Sequence, residues 1–156
     1  LDFTKAIEID PSHIELFINR GAVRYELDDY QESIADCDKV LELDPVRADT
    51  FYLRGLCKSE SGDYKAALPD FSKTIEINPN HVEAFIQRGV AKAALNDLDS
   101  SIDDYSKAIE LDPNNIITYY YRARVKLQLG DEEGANRDFM KGREVEGFAP
   151  DEELDD

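Results

Sequence analysis

The chain has 156 residues, enough for one ordinary domain, and carries 35 Asp and Glu against 18 Lys and Arg, a formal net charge of −17. A field of that sign repels phosphate backbones and argues against nucleic acid as a partner, while it draws basic partners in faster at low salt and keeps the surface solvated. No run of eighteen apolar residues exists and no signal peptide is legible, so membrane insertion is not expected and cytoplasmic placement is.

In chain order, Leu1 opens without a Met, inside a stretch that reads as helix and closes at Ile9-Asp10-Pro11. The expectation is a segment of a longer protein. Ser12 with Glu15 then reads as a capping box for the next helix, which carries Phe17 and Gly21 four residues apart. Asp28 tolerates the left-handed backbone that a helix C-terminus requires, and Asp29 is placed to accept from the orphan amides of the following helix. That helix ends at Leu43-Asp44-Pro45.

The same events recur. Phe51 and Gly55 precede a turn at Gly62-Asp63, a helix that contains Pro69, and Ile77-Asn78-Pro79. Proline within a helix deletes a backbone bond and predicts a kink there. Asn80 with Glu83 reads as a further N-cap, before Phe85, Gly89 and the turn at Asn96-Asp97. From Asp97 to Leu111 the apolar residues Leu98, Ile102, Tyr105, Ala108, Ile109 and Leu111 form one helical stripe. After Pro113 come Tyr119, Ala123 and the turn at Gly130-Asp131. The last helix carries Gly134 and Gly142, which weaken it, and Gly147 stands where a proline would close the period. Residues 150–156, rich in acid, are expected to be disordered.

Pro11, Pro45, Pro79 and Pro113 are each 34 residues apart, and the register holds at many other positions. With its aromatic, small and proline columns the sequence resembles the tetratricopeptide repeat family. The second small column of that pattern reads Ser33, Ala67, Ser101 and Ala135; the second aromatic column reads Cys37, Phe71, Tyr105 and Phe139; the last reads Val40, Thr74, Ala108 and Gly142. The resemblance implies an all-α, right-handed α-α superhelix of antiparallel helical hairpins. It divides residues 1–149 into a half repeat, 1–13, and full repeats 14–47, 48–81, 82–115 and 116–149. A hairpin of this size cannot bury its own apolar face, so neighbours stack to make the core. The open end at Leu1 could then stack on another copy, which would give self-association.

A charge column runs through the repeats. Arg20, Arg54, Arg88 and Arg122 are each followed four residues later by Arg24, Lys58, Lys92 and Lys126. Like charges at this spacing repel. Asp2, Asp36, Asp70, Asp104 and Asp138 recur in the second helices and are assigned as their counter-charges.

In the family the inner face is built from the first helix of each hairpin. The resemblance therefore places a protein-binding groove at Ile18, Asn19, Tyr52, Leu53, Leu56, Ile86, Gln87, Val90, Tyr120, Tyr121 and Arg124, with an acidic rim at Glu15, Asp49 and Glu83. An apolar surface with a polar rim suits a peptide or helix with aliphatic anchors and some basic residues. One subclass of the family clamps the C-terminal carboxylate of chaperones with two lysines, an arginine and two asparagines. Only Asn19 matches; Asp49 and Leu53, or Glu83 and Gln87, stand where bases are needed. Chaperone-tail binding is therefore not expected.

Cys37 and Cys57 make no disulfide framework and neither sits in a CxxC, so both read as small core residues. His13 and His81 fall in equivalent connecting segments 68 residues apart and are assigned no metal or triad role. No Gly-rich phosphate loop or nucleophile–base pair is legible. The expectation is a scaffold or adaptor without catalytic residues, metal or cofactor. The alternatives are a regulatory or substrate-recruiting segment of a larger protein or enzyme, and a self-assembling array.

Overall fold

The computed structural model describes residues 3–147. Leu1 and Asp2 and residues 148–156 lie outside the described residues, and with them the expectations of an open, stacking N-terminal end and a disordered acidic tail. Among the described residues there are nine α-helices and no strand: α1 Phe3–Ile9, α2 Ile14–Glu26, α3 Tyr30–Leu43, α4 Ala48–Glu60, α5 Tyr64–Ile77, α6 Val82–Ala94, α7 Leu98–Leu111, α8 Ile116–Gln128 and α9 Glu132–Glu146. The all-α hairpin expectation holds. Contacts gather into two compact units, residues 1–84 and 85–156, and the division falls inside α6.

In the first unit α2 pairs with α3 and α4 with α5, and α3 packs on α4. Phe17, Cys37, Val40, Cys57, Ala67, Phe71 and Ala84 are its buried apolar residues among those described. Gly55 exists for contact: a Cβ there would stand 2.7 Å from the Phe71 ring. At Gly21 a Cβ would meet the side chain of Asp36 at 3.3 Å instead, because Cys37 is too short to fill the place of a ring. The Ser33 hydroxyl uses that room to donate to the Gly21 carbonyl at 2.8 Å, and the Cys57 thiol donates to Ser33. Both cysteines are buried and free, as core residues.

In the second unit α7 packs on α8 and α8 pairs with α9. Tyr105, Ala108, Tyr119, Ala123, Val125 and Ala135 are buried. Gly89 repeats the Gly55 geometry, 2.7 Å from the Tyr105 ring. Gly142 does not shorten α9, which runs 15 residues; it lies against Tyr120, and Gly147 closes the helix in the left-handed conformation at φ 90°.

The turn chemistry is that of the sequence. Asp28, Gly62, Asn96 and Gly130 have φ of 61°, 82°, 64° and 82°. The next amide in each turn, from Asp29, Asp63, Asp97 or Asp131, donates back across the helix end, to the carbonyls of Arg24, Lys58, Lys92 and Lys126.

Two local expectations need correction. Asp63 and Asp131 accept from the amides of Ala66 and Gly134, but Asp29 and Asp97 make no side-chain cap bond. Ser12 and Asn80 are not N-caps. Their amides donate to Asp10 and Asn78, as those of Val46 and Asn114 do to Asp44 and Asp112. The Asp or Asn ahead of each proline thus folds an Asx turn over it, and the helix starts one residue later than a capping box would place it. The N-caps are His13, Arg47 and Asn115; His81 precedes α6, and its Nδ1 accepts from Ala84. Pro69 lies inside α5, which runs from Tyr64 to Ile77, as the sequence placed it.

Candidate functional site

The charge column is the frame on which the first helices are mounted. Asp36, Asp70, Asp104 and Asp138 are all buried. Each accepts from the arginine sixteen residues earlier, at 2.6 Å: Arg20, Arg54, Arg88 and Arg122. Its other oxygen meets Arg24, Lys58, Lys92 or Lys126 at 2.6 or 2.7 Å. Each of these aspartates thus lies between two cations of its own hairpin, which relieves the repulsion between cations four apart, while Arg20, Arg54 and Arg122 also reach Thr4, Asp38 and Ser106 on the preceding second helix. Arg20, Arg54 and Arg88 also lie over the rings of Phe17, Phe51 and Phe85. Burial opposes the charged form of Asp138, yet the hydrogen bonds and charges of Arg122 and Lys126 hold its carboxyl below the ordinary value.

Locked from behind in this way, α2 and α4 leave a cleft of about 310 Å³ in the first unit. Glu15, Ile18, Asp49 and Leu53, four of the sequence-derived groove residues, line it together with Phe17, Cys37, Val40, Arg47 and Thr50. Ile18 and Leu53 are half-buried, and Glu15 and Asp49 are exposed. Arg47 was not read as a site residue. It donates to Glu15 at 3.0 Å and lies 3.8 Å from Asp44, so one rim acid is neutralised and Asp49 has no cation among the described residues. The available signal was its position, where the other repeats carry His13, His81 and Asn115.

The rest of the expected face in this unit divides differently. Asn19 is exposed, Leu56 is half-buried, and neither lines that cleft. Tyr52 is half-buried beside Phe71, and its ring lies 4.7 Å from that of His81. Burial, reinforced by Glu83, pushes the Tyr52 phenol up to about 12. Glu83 is exposed with Oε2 3.3 Å from His81 Nδ1.

In the second unit a cleft of about 250 Å³ is lined by Val90, Ala93, Ala94, Tyr105, Tyr121, Arg124, Val125 and Gln128. It gathers Val90, Tyr121 and Arg124 from the expected set. Gln87 is half-buried outside it, and Ile86, at 8 % exposed, is a core residue and not an anchor. Tyr120 also lies elsewhere: it packs near Phe139, and its hydroxyl donates to Glu146. Tyr105, Ala93 and Gln128 were missed because the first belongs to a core column and the others lie beyond the positions that the resemblance assigns to the groove.

Among the described residues no group of three His, Cys, Asp or Glu is arranged to hold a metal ion, and no helix is long and apolar enough to cross a membrane.

The tetratricopeptide repeat model matches residues 14–47 and 48–81, and a further model described as TPR repeat matches 92–130. No curated protein matches the chain significantly. Among solved structures, MamA from Desulfovibrio magneticus RS-1 is 26% identical, with a TM-score of 0.89 over 93% of this chain and 82% of that one. YrrB, described as a TPR protein with an unusual peptide-binding site, is 25% identical, with a TM-score of 0.83 over 93% of this chain and 75% of that one. The first TPR of Spaghetti (RPAP3), bound to the HSP90 peptide SRMEEVD, is 22% identical, with a TM-score of 0.73 over 75% of this chain and 93% of that one. The 34-residue register, the hairpins with their left-handed turns and these matches agree: the chain belongs to the tetratricopeptide repeat family.

Proposed function

We propose that this protein is an interaction module that holds a peptide or helix of a partner on the face of its first helices. The observation that carries the reading is the cleft between α2 and α4, where Ile18 and Leu53 are accessible beside Glu15 and Asp49. Aliphatic walls with a charged rim compose a binding surface rather than a reaction centre. The likeness to YrrB, with its peptide-binding site, supports the same reading. The partner's chemistry follows from the site: an aliphatic anchor for the cleft and a Lys or Arg for Asp49, in a chain whose net charge steers cations inward. An acidic chaperone tail is the wrong ligand for that rim.

The test is capture of partner proteins by the intact chain and by Ile18→Ala/Leu53→Ala, at low and high salt, with melting followed in parallel. Loss of capture with melting retained is the expected result. Undiminished capture by the double variant would overturn the assignment. Ile86 is left intact because its truncation would open a core cavity and confuse binding with folding.

A further inference from the structure

The cleft of the second unit has a different chemistry. In this acidic chain Arg122 and Lys126, which flank Arg124 on α8, are both committed to Asp138. Arg124 is exposed, lines the cleft, and has no carboxylate within ion-pair distance among the described residues. Two tyrosine rings form one wall, Tyr105 and Tyr121, stacked with centroids 5.8 Å apart and planes at 28°. Neither hydroxyl has a hydrogen-bond partner among the described residues; Tyr121 is half-buried and Tyr105 is 2 % exposed. Gln128 adds an amide, and Val90 and Val125 supply aliphatic surface. Burial and Tyr121 push the Tyr105 phenol up while Arg124 pulls it down, consistent with the guanidinium lying close to that ring.

Residues carrying donors without a partner among the described residues thus line one small space with aliphatic walls: the guanidinium of Arg124, the phenols of Tyr121 and the largely buried Tyr105, and the amide of Gln128. Such a set matches a planar acceptor with two oxygens. We propose that this cleft recognises the carboxylate side chain of a glutamate or aspartate in a partner segment, with an aliphatic residue beside it. A carboxylate fits better than a phosphate, because one guanidinium balances one charge and the surrounding field of a chain at −17 opposes a second. The volume, about 250 Å³, admits side chains and not a folded surface. The inference rests on the reading that the protein binds peptides, and it adds that the two units select opposite charges: a base beside Asp49 in the first and an acid at Arg124 in the second.

The experiment titrates the intact chain with three blocked peptides, acetyl-Gly-Leu-Xaa-Leu-Gly-amide with Glu, Gln or Lys in the centre, and follows the Arg124 Nε–H signal and the Val90 and Val125 methyls by NMR. Blocking the termini removes the C-terminal carboxylate as a source of the effect. The Glu peptide is expected to move these signals and to bind roughly tenfold more tightly there than the Gln peptide. Arg124→Gln should abolish that preference without changing the melting temperature, since Arg124 is exposed. Tyr121→Phe, which keeps the ring, should weaken it. Equal binding of the Glu and Gln peptides at this cleft, or a preference that survives Arg124→Gln, overturns the proposal. So does inorganic phosphate that displaces the Glu peptide at equal concentration, which would mark an unselective anion site. If the Lys peptide moves Ile18 and Leu53 while the Glu peptide leaves Arg124 untouched, this proposal fails and the peptide-binding reading stands. Silence from all three peptides up to about 10 mM would overturn both.

Discussion

The two compact units share one frame and differ in what the frame presents. In each hairpin a buried aspartate is held between two cations sixteen and twelve residues earlier, and the turn between helices passes through one left-handed residue. The first unit fills one hairpin with Cys37, Ser33 and Gly21 and leaves a cleft with acids at its rim. The second fills the equivalent place with Tyr105 against Gly89 and leaves a cleft lined by Tyr121 and by Arg124, whose guanidinium has no ion pair among the described residues. Positions that lock a hairpin are repeated because every hairpin faces the same packing problem. Positions on the first-helix face are free of that constraint, and there the units diverge in charge. The repeat thus separates what holds the protein together from what it recognises.

The largest effect that can break this comparison should come from the shared frame. Asp70→Ala or Asp104→Ala strips a buried carboxylate from two cations and should cost about 3 kcal/mol each in urea unfolding, at the low end for a broken buried cluster because the cations keep some solvent. A loss in one unit only would show that the clusters are not equivalent. Glycine substitutions sharpen the difference between units next. At Gly89 a Cβ meets the Tyr105 ring at 2.7 Å, and Gly89→Ala should destabilise by about 1–3 kcal/mol. At Gly21 the nearest atom is 3.3 Å away, and the gain in helix propensity, about 1 kcal/mol, should leave Gly21→Ala near neutral. Equal melting temperatures for the two variants would contradict the packing described for Cys37 and Tyr105.

A smaller effect concerns acid. The folded-state value of Asp138 is depressed below 3.8. Its charge therefore contributes stability above the unfolded value, and that contribution is lost as pH falls through the folded one. Urea midpoints measured from pH 6 down to about 2 should fall less steeply for Asp138→Asn than for the native chain, from a lower starting value. The smallest effect belongs to the rim of the first cleft. Glu15→Gln breaks an exposed pair with Arg47 and should change stability by less than about 1 kcal/mol. The freed Arg47 should nonetheless weaken the preference for basic peptides proposed for that cleft, which a fluorescence titration at low salt would register.

Much of the frame was legible because it repeats. A residue type recurring every 34 positions signals a common environment, and four copies correct for local substitutions such as Cys37 for an aromatic. The Arg–Asp pairing was readable on the same ground, although the seating of each aspartate between two cations of its own hairpin, and the further reach of Arg54 to Asp38, needed coordinates. The caps were misread by one residue because Ser12 and Asn80 satisfy two local patterns, and the Asx turn of the preceding Asp or Asn won. The candidate site was half legible. Positions on the first helix identify a face, but burial on that face depends on neighbours: Ile86 is covered, Ile18 is not, and Tyr120 is drawn toward Phe139.

By itself, then, the sequence determined the family, the all-α hairpins, the left-handed turns and the charge frame, since each is set by local backbone preference or by a spacing repeated from hairpin to hairpin. Only the tertiary structure decided which first-helix residues share a cleft, that Arg47 pairs with Glu15, and that Arg124 has no carboxylate within ion-pair distance among the described residues. Those outcomes depend on distances between side chains far apart in the chain, which periodicity does not encode.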